Sequence, residues 1–354
     1  MSGMSSENAP VKRIGVVLFN LGGPDNLSAV RPFLFNLFRD PAIIRLPFFI
    51  RYPLAFLIAR KRAHQALEIY ARMGGHSPIL EQTKAQGRAL EGALKKSGLS
   101  AKVVIAMRYW HPFAHEALQD IHDFSPDVVV ALPLYPQFST TTTGSSLTEW
   151  QKLLSRQNAS FDCRYVRSYA TADEFISAHA ELIARAFENV ERSSTRLLFS
   201  AHGLPQKIVD AGDPYPQEII ASCRAIVNKL SIQNPGQNPG QNLDWSIAYQ
   251  SRVGPLKWIG PSLSEEIARA ASDGLGLVVV PISFVSEHSE TLVELDHDYA
   301  MLAKQLGLKT YVRVPALGCH ALFIDALKKR VQAAVADERL TSRKITPWPM
   351  PIAG

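Results

Sequence analysis

Two short stretches concentrate the side chains that could handle a metal ion or a proton. In the first, Ser200-Ala201-His202-Gly203-Leu204-Pro205, a histidine follows directly on a strongly apolar run. An imidazole placed there can accept a proton near neutral pH, ligate a metal, or simply complete a buried hydrogen bond. The second runs from Phe284 to Leu292 (FVSEHSETL), where Ser286 or Ser289 could cap a helix reaching to about Gln305. On that helix Glu290, Glu294 and Asp298 stand at i, i+4 and i+8 on one face, with no lysine to offset them. Such a column is either a solvated acidic face or a repulsive arrangement kept for use. A histidine opposite a carboxylate makes a weak, open divalent site, suited to Fe2+, Zn2+ or Co2+ held for transfer. The same pair can take up protons.

The other candidates are flat or hydroxylic. Arg108-Tyr109-Trp110-His111-Pro112, the run Tyr135–Ser146 (YPQFSTTTTGSS), Trp258 and Phe284 describe apolar walls with a few polar groups. Walls of that kind suit a large planar ligand; packing of a domain interface is the plainer alternative. The loop Asn20-Leu21-Gly22-Gly23-Pro24 is neither G-x-G-x-x-G nor a P-loop, and no Lys-Ser/Thr follows to reach phosphates. Its glycines suit a close backbone approach to a flat ligand, or the turn itself.

These residues need a frame, and the apolar pattern supplies one. Short apolar runs at Ile14–Phe19, Val103–Met107, Val128–Leu132, Arg196–Ser200, Ser246–Tyr249 and Leu277–Val280 predict strands, with helical segments such as Ser77–Lys96, Thr171–Asn189 and Ser262–Ala271 between them. That alternation predicts an α/β fold with parallel sheets flanked by helices. The strand ends repeat in kind: VVLFNLGGP, VVIAMRYWHP and VVVALPLYP, then LLFSAHGLP, SIAYQSRVGP and VVVPISFVSEH. We therefore expect two similar domains, 11–165 and 166–330, and a tail over 331–354. Ligands of open parallel sheets bind beyond the carboxyl ends of the strands, so the cleft between two such edges is the expected site.

Composition narrows the partners. The chain has 354 residues, 46% hydrophobic and 20% charged, which is ordinary soluble globular usage. Its charge is 38 − 32 = +6, but Arg60-Lys61-Arg62 is its densest basic tract and no such tract is interleaved with aromatics, so nucleic acid is not an expected partner. Cys163, Cys223 and Cys319 are scattered without a C-x-x-C pair, which disfavours a disulfide framework and fits a reducing compartment. Met1–Pro10 lacks a basic start and an apolar stretch and reads as a short leader, not a signal peptide. The oiliest segment, residues 46–59 (LPFFIRYPLAFLIA), is too short to span a bilayer. It reads as a buried helix or lid, or as an apolar lip flanked by Arg45, Arg51 and Arg60 that rests on a membrane surface. Gln233–Asn242 (QNPGQNPGQN) reads as a solvated loop, and the segment after Thr346 as an extended strap.

Seven segments, in order, resemble the signature segments of the ferrochelatase family: FNLGGPD, YARMGGHSPI, AMRYWHP, PLYPQFSTTTTGSS, SAHGLP, YQSRVGPLKWIGP and FVSEHSETLVELD. The resemblance runs from about Ile14 to about Arg330. It implies a chelatase fold of two Rossmann-like domains, with Fe2+ inserted into protoporphyrin IX in the cleft between them. It implies His202 and Glu290 as the metal-binding and proton-handling pair, with Glu294 and Asp298 continuing an acidic path outward. Arg108, Tyr109, Trp258 and Phe284 are implied to line the macrocycle pocket, Arg62, Tyr70 and Ser77 to meet its propionates, and residues 46–59 to form the active-site lip. Some members carry a [2Fe–2S] cluster on a Cys-bearing C-terminal extension; no cysteine follows Cys319 here, so no cluster is expected. Leu21 stands where many animal members have Met, so substrate orientation there does not carry over. The expected location is cytoplasmic, with the lip at the inner face of the membrane. Two other readings stay open: a haem- or metal-binding protein without turnover, and a sister chelatase acting on coproporphyrin or sirohydrochlorin.

Overall fold

The computed structural model describes residues 12–159, 161–233, 243–252 and 254–337. The expected leader, the Gln-Asn-Pro-Gly loop beyond Gln233 and the strap after Thr346 lie outside the described residues. Among the described residues, eight strands form two sheets. The first holds β1 (Arg13–Asn20), β2 (Ser100–Met107), β3 (Val128–Pro133) and β4 (Asp162–Tyr165) in the order β2-β1-β3-β4. The second holds β5 (Thr195–His202), β6 (Trp245–Gln250), β7 (Gly276–Pro281) and β8 (Tyr311–Arg313) in the order β6-β5-β7-β8. Every neighbouring pair is parallel. All six predicted strands are present. The two additional ones, β4 and β8, are short edge strands that carry Asp162, Arg164 and Arg313, and so lack an apolar run.

Both faces of each sheet are covered, which is why the central strands read as continuous apolar runs. Val16, Leu18, Val130, Leu197, Phe199 and Val280 share one core with the helices Asp173–Ala186, Tyr215–Gln233 and Ala321–Ala336. The alternate residues face two separate outer cores, around Val17, Val129 and Trp150 in the first sheet and around Leu198, Val279 and Leu295 in the second. Each buried Leu or Phe contributes roughly 1.5–3 kcal/mol, so the shared layer binds the two sheets into one body.

Polar contacts fix the two edges against each other. Gln86, fully buried on helix Ile79–Lys96, donates to the carbonyls of Val285 (2.9 Å) and Gly318 (3.0 Å). One turn earlier Gln82 accepts from the N–H of Glu287 at 2.8 Å. From the other side, the buried carboxylate of Asp213 receives Ser139 Oγ and the N–H and hydroxyl of Thr140. The tail expected from residue 331 needs correction. The last helix continues to Ala336, because it packs back on the first domain and its final carbonyls are taken by buried Arg164, with Ala334 O at 2.9 Å.

The oily segment is the start of a 25-residue helix, Phe48–Arg72. Ala55 and Ala59 seat it on Val30, Phe33 and Phe38, while Phe48 (70% exposed), Phe49 (64%) and Leu57 (60%) face outward. No helix among the described residues is long and apolar enough to cross a membrane.

Candidate active site

His202 is the last residue of β5, so the sheet itself aims it at the cleft. Its N–H donates to Ser283 Oγ, and its Nδ1 lies 2.7 Å from Glu290 Oε2. The side chain keeps 39% of its surface exposed, and Nε2 has no hydrogen-bond partner among the described residues. Phe284 meets the ring edge-on at 6.3 Å and leans on His288 at 4.6 Å. Gly203 follows, where a Cβ would come within 2.9 Å of the Gln250 carbonyl and 3.2 Å of the Trp258 ring. Only glycine lets Trp258 approach beside the histidine.

The acidic column stands on a π-helix, Glu290–Tyr299, continued by an α-helix over Ala300–Gln305. The ordinary α-helix expected there is therefore corrected, and so is its cap. Ser289 makes no capping bond; Thr291 Oγ1 takes the N–H of His288, and Ser286 donates to Gln86. π-Turns are uncommon and cluster at functional sites.

The column is not uncompensated either. Ser251, the residue after β6, lies 2.8 Å from Glu290 Oε2 and 2.7 Å from Glu294 Oε2. Its φ of +62° is left-handed and turns its hydroxyl toward both. Gln250 adds bonds to the Glu290 carbonyl (3.0 Å) and to Glu294 (3.2 Å). Asp298 is exposed and pairs with Arg72 at 3.4 Å and His297 at 2.9 Å.

One hydroxyl proton serves one carboxylate at a time, so the two differ in how far each carries its charge. The electrostatics say which carries more. Burial by itself raises Glu290, but the charge and hydrogen bond of His202, then His288 and Ser251, bring it down to about 2. Burial and then the charge of Glu290 push Glu294 up to about 7, against the bonds from Ser251 and Gln250. Burial opposes a charge on His202, yet Glu290 outweighs it and raises the imidazole. Burial holds His288 below its ordinary value, and its Nε2 stands 3.8 Å from Glu290. At neutral pH the set is an ionised Glu290 between two imidazoles, with Glu294 near its midpoint one hydroxyl away. Among the described residues no group of three or more His, Cys, Asp or Glu is arranged to hold a metal ion. The site offers a pair.

The other candidates fall into two groups. Helix Phe48–Arg72 brings Tyr70 and Arg62 across the cleft. The Tyr70 phenol bonds Ser289, and burial raises it to about 12. Arg62 lies over Phe38 and feels the charge of Glu294, though burial lowers it. Ser77 is buried against Gly23, where a Cβ would meet its hydroxyl at 2.6 Å. Arg108 and Tyr109 form a separate cluster around buried Asp40, at 2.8 Å each, joined by Ser145. Tyr109 is only 1% exposed, so it backs the wall and does not face the cleft.

Sequence reasoning assigned no role to Ser251, Gln250, His288 or Asp40. Ser251 and Gln250 were within reach: they stand in YQSRVGP, just past a predicted strand. What joins them to the site is the sheet order, which pairs Gln250 with His202.

The sequence model of a family described as Ferrochelatase matches residues 13–335. Ferrochelatases of Caulobacter vibrioides (strain NA1000 / CB15N) and Phenylobacterium zucineum are each 51% identical to this chain, the first over 95% of this chain and 94% of its own length, the second over 96% of each. Among solved structures, the chain is similar to SirB from Bacillus subtilis with Fe3+, at a TM-score of 0.53 and 12% identity over 93% of this chain and 97% of that one. That likeness speaks for the two-domain α/β fold. The chain belongs to the ferrochelatase family, porphyrin metal chelatases of the lyase class.

Proposed function

We propose that this chain inserts Fe2+ into protoporphyrin IX to give protohaem and two protons, as a step of haem biosynthesis. The observation that carries the reading is the arrangement of His202 Nδ1, Glu290, Ser251 and Glu294 in one hydrogen-bonded line. Metallation requires two pyrrole protons to leave while a cation arrives. In its neutral form, with Nδ1–H donated to Glu290, His202 takes a pyrrole proton at Nε2, and Glu290 offers a carboxylate that stays ionised. A proton reaching Glu290 passes through the Ser251 hydroxyl to Glu294, which exchanges protons near neutral pH. Asp298 continues the path to the surface. Trp258, Phe284 and the wall backed by Arg108 and Tyr109 receive the macrocycle, with Arg62, Tyr70 and Ser77 toward its propionates. The test is anaerobic incubation of the purified protein with Fe2+ and protoporphyrin IX, in parallel with coproporphyrin and sirohydrochlorin. Fastest metallation of protoporphyrin IX is expected. Tight binding without turnover overturns the enzyme reading, and faster metallation of another ring overturns the substrate.

The reading places the protein in the cytoplasm, at the membrane's inner face. Phe48, Phe49, Phe56 and Leu57 stand exposed on the first turns of one helix as an apolar lip, and a poorly soluble porphyrin can enter from lipid there. Flotation with anionic liposomes is expected to show weak binding that is lost when Phe48, Phe49 and Phe56 are changed to Ser. Nucleic acid has no part in this function. No resident cofactor is included: Cys163 and Cys223 are buried and Cys319 is exposed, and anaerobically purified protein is expected to lack an iron–sulfur chromophore.

A further inference from the structure

A ten-residue π-helix needs something to hold it, since i→i+5 turns are rare beyond single bulges. The short edge strand β8 is built to do so. The guanidinium of Arg313, 12% exposed, bonds both carboxylate oxygens of Asp296, with Nη2 to Oδ2 at 2.7 Å, and reaches Glu287 Oε1 at 2.8 Å. Glu287 precedes the π-helix and also accepts the N–H of Ala316 at 2.9 Å. Two residues back, on the same face of β8, Tyr311 donates its hydroxyl to the Leu295 carbonyl at 2.9 Å. Three anchors thus bracket the segment that carries Glu290 and Glu294. Glu287 lies before the π-helix and Asp296 within it, so one guanidinium ties the approach to the helix to its middle.

We propose that Arg313 is a positioning residue for metal insertion: by bridging Glu287 and Asp296 it keeps this helix in its π form, with Glu290 facing His202 and Glu294 on Ser251. The proposal rests on the reading of His202 and Glu290 as the metal-handling pair. Arg313 touches no substrate itself, so its signature is selective.

The test compares Arg313→Met with Arg196→Met. Arg196 is a matched control, since it is 9% exposed and bridges two carboxylates, Asp244 and Asp273, on a part of β5 far from His202. Both variants are expected to lower the melting temperature. Only Arg313→Met is expected to reduce kcat/KM for Fe2+, by about tenfold or more, with KM for protoporphyrin IX within about twofold. Amide exchange over 288–299 is expected to quicken in Arg313→Met and not in the control. Asp296→Asn gives the same split, and Arg313→Lys, which reaches one carboxylate, restores part of it. If Arg313→Met folds poorly, these two milder variants carry the test. Unchanged iron kinetics and unchanged exchange in any folded variant of this set overturn the clamp. Retention of activity by His202→Ala overturns the underlying site reading instead, and the exchange result then decides the clamp by itself.

Discussion

The two halves share a strand order and differ in what stands at the strand ends. At the end of β1, Asn20 is 5% exposed and satisfied internally by Thr83 and the Leu21 N–H. At the end of β5, His202 is left open toward the cleft and faces Glu290. After β3 the chain enters an ordinary α-helix at Thr143 through a hydroxyl-rich loop; after β7 it enters the π-helix with its carboxylates. The first half builds a wall backed by Asp40, Arg108 and Tyr109, and the second half carries the His202–Glu290 pair and the acidic column. One topology supports both, because the strand-end loops vary while the sheets beneath them do not.

That division predicts different kinetic signatures for damage in each half. The largest effect is expected in the second. His202→Ala and Glu290→Gln should each nearly abolish metal insertion with unchanged circular dichroism, since among the described residues no other open imidazole or ionised carboxylate stands at that point. Activity within a few-fold of wild type in either variant removes that residue from the chemistry.

In the first half, Asp40→Asn strips the counter-charge from Arg108, whose side chain is 19% exposed. Breaking a buried pair on one side costs about 3–5 kcal/mol, so urea denaturation should show a large loss. In the folded protein KM for porphyrin should rise while KM for Fe2+ holds. A rise in the iron constant instead blurs the division between halves.

The smallest effect separates the two carboxylates that share Ser251. Glu294 is raised from 4.5 to about 7, so between those values the folded state binds more protons than the unfolded chain, and stability falls as pH rises through the window. Glu290 is lowered from 4.5 to about 2, so its contribution is present above 4.5 and lost as pH falls toward 2. Glu294→Gln should therefore stabilise by about 1–3 kcal/mol at pH 8 and by under about 0.5 kcal/mol at pH 4.5. Asp298→Asn, at an exposed pair with Arg72, should give no such gain. Denaturation of both variants at the two pH values checks this. A gain in Glu294→Gln that does not depend on pH rules out a raised carboxyl.

Much of this was legible in the chain itself. Strands buried on both faces announce themselves as unbroken apolar runs, so the six long strands, the parallel α/β class and the two repeated halves follow from local pattern. The placement of His202 was legible for a related reason, since a polar residue at the end of an apolar strand is aimed at the sheet's carboxyl edge; its pairing with Glu290 came from the family resemblance alone. Tertiary structure decided the rest. β4 and β8 are strands only because a neighbour offers them a ladder, and β8 holds the π-helix at Leu295 and Asp296 and its approach at Glu287. The column spacing made Glu290 and Glu294 look like repelling neighbours. The pairing of β6 beside β5 sets Ser251 between them, and the opposite shifts of two identical carboxyls come from burial and from His202, which lies 88 residues from Glu290 along the chain and 2.7 Å from it in space.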